Sequence, residues 1–181
     1  MSKRDVRELT PFLRVFPLDV RRRALWLRNF VWDLYPGANE LIYDNYNALA
    51  FGWSPTDRVG HTFCNVAVGR ASHNVHLGFY WGAELADPRR LLRGEGNQYR
   101  YLLVDDLAAF PKSYMKTMLE AAHANSVRKV KDHSQFMQGA TIVKSISGKK
   151  RAAGKNTLQK AKAAPVAVGA STRGKAPRSG R

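Results

Sequence analysis

The sequence predicts an α+β domain: an antiparallel meander sheet covered on one face by N- and C-terminal helices, followed by a disordered basic C-terminal tail. Three observations lead there. Between Asp19 and Tyr35 apolar residues recur at the 3.6-residue period of an amphipathic helix. From Tyr46 to Val104 the pattern changes to short extended runs broken by turn residues. From residue 149 onward aromatic residues and carboxylates vanish while lysine and arginine persist.

The first helix places Val20, Ala24, Leu27, Val31, Leu34 and Tyr35 on one stripe, with Asp19 as its expected N-cap and Pro36-Gly37 as its stop. Its opposite face carries Arg22, Asn29 and Asp33, together with Trp26. Burial of so large an aromatic is rewarding, so Trp26 is expected under another segment, such as the N-terminal arm, rather than exposed beside arginines. The extended runs are Tyr46 to Trp53, His61 to Gly69, Val75 to Trp81 and Tyr99 to Val104. Ser54-Pro55-Thr56-Asp57 and Gly69-Arg70-Ala71-Ser72 supply turn chemistry between neighbours, so the economical topology is a meander. In the third run Val75, Leu77, Phe79 and Trp81 alternate with Asn74, His76, Gly78 and Tyr80; the first set is expected toward the helices and the second toward a wetter face. Residues 82 to 98 are expected to make a helical turn or two and then a glycine turn. A last helix starts near Pro111 and buries Met115, Met118, Leu119 and Ala122.

The division into segments follows from charge. The chain has 30 Lys or Arg and 14 Asp or Glu, a net +16, and residues 149–181 hold ten of the cations and none of the acids. The remaining 148 residues are therefore only +6. The expected organisation is an N-terminal arm at 1–16, a folded domain at 17–135, a linker at 136–148 and a tail at 149–181 too poor in apolar surface to offset the entropy of ordering. The single cysteine, Cys64, excludes an intrachain disulfide and suits a reducing compartment. No apolar run is long enough to cross a bilayer, and the N-terminus lacks the apolar core and cleavage site of a signal peptide, so a cytoplasmic protein without a membrane partner is expected.

Catalytic patterns are thin. His61-x-x-Cys64 and His73-x-x-His76 have zinc-like spacing, but residues three apart on a strand point to opposite faces, so neither pair chelates together. Gly94-Glu95-Gly96 precedes a strand instead of opening a helix, which fits a turn and not a phosphate loop. There is no Gly-x-Ser-x-Gly elbow, and Asp105-Asp106 suits a turn or cap. A non-enzymatic protein without a cofactor is the expectation.

Two features suit binding. The stretch Tyr43, Asp44, Asn45 and Tyr46 is dense in hydrogen-bonding side chains and could line a small pocket with His76 and Tyr80; it equally suits a polar connection whose Asx side chains satisfy turn backbone. The tail cations Lys149, Lys150, Arg151, Lys155, Lys160, Lys162, Arg173, Lys175, Arg178 and Arg181 are expected to attract nucleic acid or another polyanion without sequence preference, or simply to solubilise. If half of them met phosphates, the log-log salt slope would be about −4 to −5.

Residues 74 to 104, with the strand ending Leu-Gly-Phe, then Gly-Ala-Glu-Leu-x-Asp-Pro, Leu-Leu and Gly-x-Gly, resemble the YdhG-like domain family, a domain of unknown function. The resemblance extends back through residues 36 to 53 and forward into the last helix, covering about 18 to 125. It implies a compact frataxin-like α+β fold. It also implies, as an alternative function, an intracellular iron-binding chaperone, for which Glu84, Asp87, Asp105 and Asp106 are the available carboxylates. Arg21, Arg22, Arg23 and Arg28 on the first helix oppose that role, because a positive field disfavours the approach of hard cations.

Overall fold

The computed structural model describes residues 7 to 152. It is an α+β structure built on one six-stranded mixed sheet, with strands in the spatial order β5-β4-β3-β2-β1-β6. The strands are β1 (Asn39–Asp44), β2 (Ala48–Ser54), β3 (Cys64–Gly69), β4 (Val75–Phe79), β5 (Arg100–Leu103) and β6 (Thr141–Ile146). Neighbours from β1 to β5 are antiparallel, whereas β6 returns parallel to β1. The helices are α1 (Thr10–Leu13), α2 (Leu18–Leu34) and α3 (Lys112–Lys129). Among the described residues no helix is long and apolar enough to cross a membrane.

Strand alternation assigns the faces. Leu49, Phe51 and Trp53 of β2, Cys64, Val66 and Val68 of β3, and Val75, Leu77 and Phe79 of β4 are all fully buried in the core shared with the helices. Into them α2 sends Val20, Ala24, Leu27 and Val31, and α3 sends Met115, Met118, Leu119 and Ala122. The opposite face reads Tyr43, Ala50, Ala67 and His76 along one row and Leu41, Gly52, Asn65, Gly78 and Tyr101 along the next.

Several expectations change. Pro17, not Asp19, caps α2; Asp19 sits in the first turn, where it suits the helix dipole and accepts from Arg23. The N-terminal arm is part of the body from residue 9 on, because Leu9, Leu13 and Phe16 are buried in the core. Trp26 is half-buried and finds its cover near the start of the last helix: it stacks on Phe30, meets Phe110 edge-on, and lies under the Lys112 ammonium at 5.4 Å. The third run ends at Phe79, so Trp81 leaves the strand and donates its indole N–H to the Gly60 carbonyl.

Two strands were not expected. The polar connection expected at Tyr43 to Tyr46 begins inside β1, and the linker expected at 136–148 contains β6. The chain stays attached past β6: the Arg151 amide donates to the Tyr46 carbonyl, and the Lys150 ammonium pairs with Asp44 at 2.7 Å. The body therefore extends at least through Arg151, and the tail boundary expected at 149 moves outward. The cations from Lys155 to Arg181 lie outside the described residues.

Candidate functional site

The residues singled out from Tyr43 to Tyr46 do not share one pocket, because β1 separates them by alternation. Asp44 points to the helix side, where it is buried against Arg70 and Lys150. The Asn45 carbonyl accepts from the Arg70 guanidinium, and its side-chain oxygen accepts from Ser145. Tyr46 is half exposed at the β1–β2 turn. Asp44, Asn45 and Tyr46 thus hold the turn together, and only Tyr43 reaches the sheet face opposite the core.

Tyr43 forms part of the wall of an open depression of about 640 Å³, shared with Asp57, Arg58, Val59, His61 and Lys144. Its phenol oxygen is shut off from solvent yet has no hydrogen-bond partner among the described residues. Burial, followed by the neighbouring Tyr80 and Asp57, raises the Tyr43 pKa, so this phenol keeps its proton. Tyr80, expected beside Tyr43, contributes to that shift but is not part of the wall.

The rest of the wall is set by two local devices. Residues 54 to 61 are tied by Thr56, whose hydroxyl accepts from the Arg58 amide and pairs with Nδ1 of His61 at 2.8 Å, leaving Nε2 as the ring nitrogen open to a ligand. The turn is pinned from outside by the Ser126 hydroxyl of α3, which donates to the His61 carbonyl, and by the Trp81 indole. On the other side the β1–β6 register slips between Ile42 and Tyr43, pairing them with Val143 and Ser145 and skipping Lys144. A bulge of this kind re-aims a side chain, and Lys144 here reaches the Asp57 carboxylate at 3.4 Å. The Arg58 guanidinium pairs with no carboxylate among the described residues. These companions were invisible in the sequence, since turn and bulge residues follow no hydrophobic period.

His76 belongs to a second cluster on the same face. Its Nε2 lies 3.1 Å from the Tyr99 hydroxyl, which itself donates to Asn65 Oδ1 at 2.9 Å. With that proton committed to Asn65, Nε2 of His76 must be the protonated nitrogen and the Tyr99 oxygen the acceptor. Burial lowers the His76 pKa to about 4 and raises that of Tyr99, so both are neutral near pH 7. Gly78 makes room for this cluster; a Cβ there would overlap the Tyr99 hydroxyl and ring. The alternation Asn65, Ala67 against Cys64, Val66, Val68 was the available signal for Asn65.

The carboxylates offered for iron are not gathered. Glu84 pairs with Lys129 of α3, Asp87 accepts from Tyr114 and the Leu92 amide, Asp106 accepts from the Ala108 amide, and Asp105 lies 3.8 Å from Arg23. The zinc-like residues are dispersed as well: Cys64 is in the core, His76 on the opposite face, and His73 edge-on to Phe16. Among the described residues no group of three or more His, Cys, Asp or Glu side chains is placed to hold a metal ion. Comparison with protein-family models, curated proteins and solved structures gives no match.

Proposed function

We propose that this chain is a non-enzymatic binding module of the YdhG-like, frataxin-like kind. The sheet face opposite its core takes a small ligand, and its cationic C-terminal segment adds nonspecific attraction to nucleic acid or another polyanion. The observation that carries the reading is the Tyr43 hydroxyl, buried without a partner in the wall of an open depression. A buried polar group left unpaired costs about 1–3 kcal/mol, which a ligand contact would offset. The charge of residues 149–181 supports the second half, because ten cations without one acid favour release of counterions from a polyanion.

Both halves have direct tests. Amide shifts of the labelled protein are followed with benzoate, benzamide and benzylamine, which present an anionic, a neutral and a cationic group on one ring. The reading requires at least one of them to move the amides of residues 57 to 61 and 143 to 145; silence from all three overturns the ligand half. For the polyanion half, gel-shift titrations across salt compare the full chain with a version ending at Ala152. Truncation is expected to weaken duplex DNA binding and flatten its salt slope, and equal affinity of the two would refute that half.

A further inference from the structure

We propose that the depression beside Tyr43 is selective for a small monocarboxylate with an apolar body. This rests on the ligand-binding reading above and adds the chemical class. Three residues that carry hydrogen-bond donors line it from separate elements: Tyr43 from β1, Arg58 from the 54–61 turn, and Lys144 from the β6 bulge. Opposed to the two cations is one carboxylate, Asp57, leaving a net charge of +1 in the wall. That excess balances one negative charge.

The present pairing is loose enough to exchange. Lys144 and Asp57 are held at only 3.4 Å and are 29% and 52% exposed, so the bridge is a solvent-screened contact that contributes little. A ligand carboxylate can draw Lys144 away from Asp57 and meet Arg58 in a two-point contact, the geometry in which guanidinium and carboxylate match. A small turn of the Tyr43 side chain toward the depression would let the same carboxylate supply the acceptor that its covered hydroxyl lacks among the described residues. His61 is held by Thr56 through Nδ1, so its Nε2 adds a fourth contact without rearrangement of the turn. The apolar body has its own surface: Val59 is 46% exposed in the same wall, which the half-buried Tyr43 also lines. Exposed valine beside a charged cluster is what a ligand with an acidic end and a hydrocarbon end would cover.

The probes named above separate the two levels of the proposal. Benzoate is expected to shift the amides around Tyr43, Arg58 and Lys144 at least tenfold more tightly than benzamide, with benzylamine weaker still. If benzamide or benzylamine matches benzoate, the carboxylate assignment falls while the ligand face stands; if none acts, both fall. Tyr43→Phe is expected to weaken benzoate about tenfold, the loss of one charge-assisted hydrogen bond, and Arg58→Gln by more, because the two-point contact goes with its charge. Asp57→Asn, at a half-exposed position where folding is not at stake, is expected to tighten it several-fold and to steepen its dependence on salt, because the wall then carries a net +2. A merely structural Asp57 would leave affinity unchanged or lowered, and that result would overturn the charge balance on which the inference depends.

Discussion

Arg28 of α2 and Glu40 of β1 form a two-point ion pair at 2.6 and 2.7 Å with both side chains fully buried. The sequence had offered Arg28 as part of a cationic helix face. It faces the sheet instead, where its charge is cancelled and where the Thr141 hydroxyl of β6 also donates to Glu40. Removing one partner leaves an uncompensated buried charge, so Arg28→Met is expected to cost about 3–5 kcal/mol in urea unfolding. Replacing both, as Arg28→Met with Glu40→Leu, is expected to recover most of that loss. A double variant no more stable than the single one would show that the pair is not the unit of stability.

His76 gives stability a pH dependence of definite sign. Its pKa falls from 6.5 to about 4 through burial, so between those values the unfolded chain binds more protons than the folded one. Stability is therefore full above about pH 6.5 and declines as pH falls toward 4, by at most about 3 kcal/mol from this group. His76→Gln keeps a donor toward Tyr99 and cannot titrate. Its urea midpoint is expected to fall less than the parent's between pH 6.5 and 4. His123, packed against Tyr35 and Phe63 and also lowered by burial, titrates alike in both proteins, so the difference isolates His76.

What could be read from the sequence was what repeats locally. The α2 stripe and the alternation of β4 announce themselves because each apolar residue meets the same core. β1 was hidden, since Asn39, Glu40 and Asp44 are poor strand formers that become tolerable only once Arg28 and Arg70 arrive from distant positions. β6 was hidden for another reason. It is an edge strand with little burial, and its parallel pairing to β1 depends on contacts about a hundred residues away. Tyr43 was found as an aromatic in an unusual stretch, but its separation from Asp44 by strand alternation required knowing that the stretch is a strand.

Gly78 tests the packing of the second polar cluster. A Cβ at this position would displace the Tyr99 ring and press on Asn65 Oδ1, so Gly78→Ala is expected to cost about 1–3 kcal/mol by overpacking. Because the Tyr99 hydroxyl would be driven from Nε2 of His76 and the ring wetted, the His76 pKa is expected to rise toward its ordinary value. Proton NMR titration of the imidazole checks this. An unchanged His76 titration in a destabilised Gly78→Ala protein would mean that Tyr99 is not what keeps water from the ring.

Asp44 separates structural from peripheral charge at the end of the body. It is buried and receives Arg70, itself 7% exposed and held over the Phe16 ring, as well as the Lys150 ammonium, which is 31% exposed. The two cations are not equivalent. Lys150→Ala removes a partly solvated partner and is expected to cost about 1 kcal/mol or less. Asp44→Ala strands the Arg70 guanidinium among buried groups and is expected to cost about 3–5 kcal/mol. Thermal or urea unfolding of the two variants reads this directly, and equal losses would mean that the attachment of residues 147–151 supports the β1–β2 turn as strongly as Arg70 does.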